Sequence, residues 1–160
     1  MKRTISILVE NQPGVLARIA GLFSARGYNI ISLAVGETEK PDVSRMTIVV
    51  DGDNRILEQI GKQLNKLIDT LKVSDFSGEK FIARDLALIK VNCEAGKRKQ
   101  LLDILKVFRG RVVDLSPKAV IVEVVGTEDK LAALMENLRP FGIQELTRTG
   151  TIAMARSKKK

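Results

Sequence analysis

Three observations predict an α+β fold built from two consecutive βαββαβ sandwiches. Short segments of period-two alternation are interleaved with segments of helical period. Clusters of Gly, Pro, Asp and Asn punctuate them. The whole order of segments then occurs a second time within 160 residues.

The first half opens on a strand, Thr4 to Val9, with Ile5, Ile7 and Val9 on one face and Thr4, Ser6 and Leu8 on the other. Glu10-Asn11-Gln12-Pro13-Gly14 breaks it. Val15, Ile19, Leu22 and Phe23 then follow at helical spacing. Pro13 suits a first helical turn, and Gly27 is placed to end the helix. Ile30 to Val35 is a second strand, with Ile31, Leu33 and Val35 expected on one face. After a loop containing Pro41, Val43 to Val50 is a third strand, with Met46, Ile48 and Val50 on one face. Asp51-Gly52-Asp53 is a turn and a helix cap. The next helix carries Ile56, Leu57, Ile60, Leu64 and Leu67, and Lys72 to Phe76 closes the unit.

The second half repeats this pattern with little identity. Leu86 to Val91 is a strand and Lys97 to Phe108 a helix. Arg111 to Leu115 and Ala119 to Val125 form a strand pair around Ser116-Pro117-Lys118. Thr127 caps a helix carrying Leu131, Leu134, Met135 and Leu138, and Ile143 to Thr147 is the last strand. Arg26-Gly27 and Arg109-Gly110 occupy equivalent places. The linker falls near Ser77-Gly78-Glu79, which sets domains at 1–77 and 83–160. Each βαββαβ unit folds as a split βαβ, or ferredoxin-like, sandwich with both helices on one face of an antiparallel sheet. The other face, milder in character, is either exposed to solvent or a docking surface.

Composition narrows the chemistry. There is no histidine, so the commonest general base and metal ligand are missing. Cys93, the only cysteine, lies at the end of an apolar strand and reads as a small structural residue. No catalytic residue and no metal ligand is identified. No apolar run approaches the ~20 residues of a membrane span, and the first strand follows directly on Met1-Lys2-Arg3, so a cytoplasmic location is expected. Formal net charge is +8. Residues 1–80 hold eleven Lys/Arg against ten Asp/Glu, and residues 81–160 hold sixteen against nine. Arg156, Lys158, Lys159 and Lys160 form a basic tail that reads as a solvated end, or as an arm for an acidic partner or nucleic acid.

The chemistry-bearing segment is Asn11-Gln12-Pro13-Gly14-Val15-Leu16. It sets a glycine where a helix begins, with unpaired N–H groups and the positive end of the helix dipole facing outward. Such a place suits a carboxylate or phosphate. Gly14 leaves room for a ligand, and Asn11 can both donate and accept. Asn29, at the start of the second strand, offers the same. On these residues alone, a structural turn and an anion site both stand.

With Ile19, Phe23 and Gly27-Tyr28-Asn29-Ile30, this segment resembles the opening of an ACT domain. The whole chain resembles the small regulatory subunit of acetolactate (acetohydroxyacid) synthase. Arg3-Thr4-Ile5-Ser6-Ile7-Leu8-Val9-Glu10-Asn11 and Ser44-Arg45-Met46-Thr47-Ile48-Val49-Val50 carry the likeness early. Arg84-Asp85-Leu86-Ala87-Leu88-Ile89-Lys90-Val91 and Phe108-Arg109-Gly110-Arg111-Val112-Val113-Asp114 carry it late. The resemblance implies a non-catalytic chain that activates a catalytic large subunit and confers feedback inhibition by valine or a related branched-chain amino acid. It implies a homodimer whose effector site takes Gly14, Val15, Leu16 and Asn11 from one chain and Asn29 and Ile30 from the other. Thiamine diphosphate, magnesium and FAD are expected on the catalytic partner and none on this chain. A carboxylate placed at position 14 is expected to block the effector and spare the fold, provided Gly14 has ordinary helical dihedrals.

Three other readings compete. A nucleic-acid binder fits the charge and the fold, but the chain has no Trp and one Tyr for base stacking. A carboxylate enzyme would rest on Asp51 and Asp53, which capping already explains. An ACT-type amino-acid sensor serving a different enzyme or a transcription factor is the strongest rival.

Overall fold

A computed structural model describes residues 1–157. They divide into two compact units. The first comprises residues 1–82 together with residues 151–157, and the second comprises Ala83–Gly150.

The first unit runs β1 (Lys2–Glu10), α1 (Val15–Ala25), β2 (Ile30–Glu37), β3 (Val43–Asp51), α2 (Asn54–Leu64) and β4 (Thr70–Asp75). Its antiparallel sheet has the order β2-β3-β1-β4, the expected split βαβ topology. The β1–β3 register sets Ile5 opposite Ile48 and Ile7 opposite Met46. These residues, with Val9 and Val50, are buried beneath Val15, Ile19 and Phe23 of α1 and Leu57, Ile60 and Leu64 of α2. The alternation of β1 and β3 and the helical period of α1 and α2 thus meet in one core.

Helix boundaries follow from local chemistry. The Asp53 carboxylate accepts a hydrogen bond from the Ile56 amide at 2.9 Å and starts α2. At the end of α1, Gly27 takes φ +69°, and the Tyr28 amide donates back to the Phe23 carbonyl at 3.0 Å. A residue with a Cβ would resist that left-handed turn.

Strand β2 departs from the expected alternation. Ile30 pairs with Val50, but the next pair is Ser32 with Val49, so Ile31 is the extra residue of a bulge. The bulge shifts the faces by one residue. Ile30 and Leu33 pack on the core and Ile31 is 41% exposed. Val35 keeps the face of Leu33, opposite Met46, and is 46% exposed on the open edge strand.

The milder sheet face is closed rather than open. Ser6, Thr47 and Val49 are all buried. A short strand that the sequence pattern does not reveal, β9 (Ile152–Ala155), lies against β1. The Thr151 amide donates to Ser32 Oγ at 2.8 Å, and Ala153 is buried. The Arg156 amide donates to the Lys80 carbonyl at 3.0 Å. The sequence pattern assigns residues 83–160 to one domain; in the structure, residues 151–157 pack with the first unit. Four residues of weak alternation carry no sign of a partner so distant in sequence. Of the basic tail, Lys158, Lys159 and Lys160 lie outside the described residues.

The second unit runs β5 (Phe81–Asn92), α3 (Arg98–Phe108), β6 (Arg111–Leu115), β7 (Ala119–Gly126), α4 (Glu128–Leu138) and β8 (Ile143–Arg148). Strand β5 starts earlier than Leu86, and its first residues fall in the first unit. The order β6-β7-β5-β8 repeats the first topology. Ala87, Ile89, Val91, Val120, Val122 and Val124 are buried with Leu101, Leu105, Leu131, Leu134 and Leu138. Cys93 is buried in the same core. Thr127 caps α4, as expected. Arg109 ends α3 in the left-handed region, at φ 53°, and the Gly110 amide donates to Leu105 at 2.9 Å. One pair was invisible in the sequence: buried Asp85 accepts hydrogen bonds from the Arg148 guanidinium and, at 3.2 Å, from Thr149 Oγ1. No helix among the described residues is long and apolar enough to cross a membrane.

Phe23→Ala is expected to lower stability by about 3–5 kcal/mol, the usual cost of emptying a fully buried aromatic site. Urea unfolding followed by circular dichroism checks it. Truncation after Gly150 is expected to lower the unfolding midpoint as well, because it removes the packing of β9 on β1, the Thr151–Ser32 hydrogen bond and buried Ala153.

Candidate functional site

The turn between β1 and α1 is built from the end of the sheet outward. The Glu10 amide donates to the Asp69 carbonyl at 2.9 Å, and the Asn11 amide to the Asp42 carbonyl at 2.8 Å. Both contacts fix where β1 stops. The Asn11 side-chain amide then donates to the Pro41 carbonyl at 2.9 Å and to Glu37 Oε1 at 3.2 Å. Asn11 is therefore held against the β2–β3 loop, with its side-chain oxygen left to accept.

Pro13 and Gly14 form the turn, and the helix begins at Val15. Gly14 has φ +85° and ψ −11°, so it is left-handed rather than helical. This overturns the condition on which a carboxylate at position 14 would spare the fold. An L-residue there costs about 1–2 kcal/mol. The glycine is required by the backbone as well as by space.

No side chain caps α1, and its first turn holds no acidic residue. Helices α2 and α4 are capped by Asp53 and Thr127. The opening of α1 thus presents amides and the positive end of the dipole without an internal anion to answer them. Val15 is buried and anchors the turn in the core, while Leu16 is 44% exposed beside it.

Arg18 adds a charge that the sequence reading missed. Its Nε donates to Asp69 Oδ2 at 2.7 Å, and Asp69 is buried. The Arg18 side chain remains 49% exposed, and its Nη1 would lie 3.1 Å from a Cβ added to Gly14. A guanidinium therefore stands beside the bare glycine. The spacing of four residues from Gly14 was the available signal, since it puts the two on one side of the helix.

Asn29 and Ile30 lie elsewhere in the chain. They follow the far end of α1, whose 11 residues span about 16 Å. Asn29 is exposed and makes no side-chain hydrogen bond among the described residues, and Ile30 is half-buried on β2. One chain therefore brings together Asn11, Gly14, Val15 and Leu16, and does not bring Asn29 or Ile30 to them. Strand β2, which carries Ile30, is an edge of its sheet. Among the described residues, no group of three or more acidic, Cys or His side chains could hold a metal ion.

A split βαβ unit whose first helix opens on a bare, left-handed glycine defines the class: an ACT-type domain followed by a second ferredoxin-like unit. Comparison with known proteins agrees. Residues 5–72 match the AHAS small subunit-like ACT domain, and residues 84–157 match the family described as small subunit of acetolactate synthase. A probable acetolactate synthase small subunit from Archaeoglobus fulgidus is 54% identical over 160 residues, covering 100% of both chains. The acetolactate synthase small subunit of Mycobacterium bovis is 52% identical over 153 residues, covering 96% of this chain and 91% of the relative. The crystal structure of the acetolactate synthase small subunit from Thermotoga maritima superposes with a TM-score of 0.90 at 37% identity, covering 99% of each chain. The chain belongs to the family of acetolactate synthase small subunits.

Gly14→Ala is expected to destabilise the first unit by about 1–2 kcal/mol, because an L-residue must adopt the left-handed backbone and the Arg18 side chain must shift to admit its Cβ. Gly21→Ala, at a helical position with nothing within 4 Å, is expected to be neutral or stabilising. Thermal unfolding of the two variants side by side checks the contrast.

Proposed function

We propose that this chain is the non-catalytic regulatory subunit of an acetolactate synthase, activating a catalytic large subunit and binding valine, or a related branched-chain amino acid, at the opening of α1. The observation that carries the reading is the uncapped, glycine-led start of α1 in a chain matched end to end by acetolactate synthase small subunits. The effector carboxylate meets the amides near Gly14, Val15 and Leu16, in the field of Arg18. The oxygen of Asn11 accepts from the effector ammonium. Thiamine diphosphate, magnesium and FAD belong on the catalytic partner in this proposal, and this chain holds none of them.

The site is completed by a second copy of the chain. Asn29 and Ile30 cannot reach the Gly14 turn of their own chain, and β2 is an open edge carrying exposed Ile31 and Val35. Edge pairing of β2 between two copies would satisfy its open backbone groups and bring Asn29 and Ile30 to the partner's turn. A dimeric mass in solution at micromolar concentration is expected, and a strict monomer in the presence of valine contradicts the shared site.

Leu16→Glu is the variant that tests the effector site. It sets a carboxylate in the first turn of α1 on ordinary helical backbone, where the dipole favours it. Loss of one charge-assisted hydrogen bond costs roughly 1.5–3 kcal/mol, or about 10- to 150-fold in affinity. Calorimetric titration is expected to show at least a tenfold loss of the tight valine site in Leu16→Glu and a smaller loss in Asn29→Ala. Both variants should still raise acetolactate formation when added to the large subunit, and the wild-type chain alone should form none. Tight valine binding by Leu16→Glu equal to wild type would place the effector elsewhere.

A further inference from the structure

A second cleft lies on the opposite side of the first unit, between α2 and the edge strand β4. It is a groove open to solvent with a volume of about 590 Å³, within the ~300–1,000 Å³ of small-molecule sites. Its lining contains chemistry that the effector site does not use. Arg3 is half-buried at one end. Its Nη2 donates to Asn54 Oδ1 at 2.7 Å, but its Nε is enclosed with no acceptor. No carboxylate lies within ion-pair distance of Arg3 among the described residues. A guanidinium that lines a cleft with no carboxylate paired to it is a receptor for a carboxylate or phosphate through its Nη donors.

Two carboxylates line the same cleft. Asp75 pairs across the sheet with Ile5, two residues along β1 from Arg3. Diagonal neighbours of this kind stand about 7–8 Å apart, close enough for one small molecule to span them. One oxygen of Asp75 is used by the Ser77 amide and hydroxyl, at 2.9 and 2.5 Å. Glu58 is kept ionised by Lys62 at 2.7 Å, which holds its carboxyl below the ordinary value. These two charges disfavour a phosphate and favour a ligand that brings an ammonium with its carboxylate. Leu57 and Val73 supply an apolar wall between the ends.

Gly61 borders the same cleft. It sits in the interior of α2, where glycine costs roughly 1 kcal/mol relative to alanine. No backbone need explains it, because its φ is not positive. A Cβ added there meets nothing within 4 Å.

We infer that this cleft is a second amino-acid site, in which Arg3 and Asn54 bind the ligand carboxylate, Asp75 and Glu58 its ammonium, and Leu57 and Val73 a small apolar side chain. It is separate from the Gly14 turn and does not depend on the effector reading.

The test uses the full chain carrying Leu16→Glu, titrated separately with L-valine, L-leucine and valinamide and followed by nuclear magnetic resonance. At least one of the two amino acids is expected to bind saturably at millimolar concentration, shifting resonances of Arg3, α2 and β4. Valinamide, which lacks the carboxylate, should bind at least tenfold more weakly. Added Arg3→Gln should weaken the amino acid at least tenfold, and Gly61→Leu, which fills the cleft without straining the helix, should abolish binding. No saturable shift at these residues with either amino acid overturns the proposal, as does binding there that both variants leave unchanged. The wild-type chain run alongside reports on the Gly14 turn separately: shifts lost there with Leu16→Glu support that site whatever happens at Arg3.

Discussion

The register between β1 and β3 is the constraint on which the first unit depends. Setting Ile5 opposite Ile48 and Ile7 opposite Met46 creates one continuous apolar face, and only a face of that extent can hold two helices. The helices in turn fix the site. Helix α1 must start within a few residues of the end of β1 to lie over that face, because Val15 enters the core at its very first turn. The chain has Asn11 to Gly14 in which to reverse direction. A left-handed glycine makes the reversal possible, and the same glycine leaves the helix end bare. The structural requirement and the proposed binding site are therefore one feature.

The two units share topology and differ where function is concerned. In the second unit, β5 passes into α3 through a short 3-10 turn, Ala95–Lys97, and no glycine with positive φ opens the helix. Lys97, Arg98 and Lys99 crowd that helix start with side-chain charge, and Arg98 Nη2 is turned to the Ser116 carbonyl at 3.0 Å. An effector site of the α1 kind has no counterpart there. The second unit instead holds its strand ends with the Asp85–Arg148 pair. The shared topology rests on periodicity, whereas the turn proposed to bind the effector rests on a few residues at the start of α1.

The element order and most core residues were legible in the sequence, because period two and period 3.6 each mark a face directly. Departures occur where one residue breaks the period or where the partner is far away. Ile31 reads as a core residue of β2 by alternation, and a single bulge puts it outside. Strand β9 goes unread because its four residues show little period, yet it lies against β1 and buries Ala153. Of the proposed effector residues, Asn11, Gly14, Val15 and Leu16 were readable as one group because they are adjacent in the chain. The spacing of Arg18 from Gly14 was readable too, but its anchoring by buried Asp69, 51 residues away, was not.

By itself, then, the amino-acid sequence determined the two split βαβ units, their apolar faces and the glycine-led turn, all of which depend on neighbours within a few residues. Tertiary structure alone decided that Gly14 is left-handed, that β2 slips by one residue at Ile31, that β9 lies against β1, and that Arg3 is left without a carboxylate in a cleft beneath α2. Each of these depends on how distant segments pack and on which polar groups find partners, and no local period encodes that.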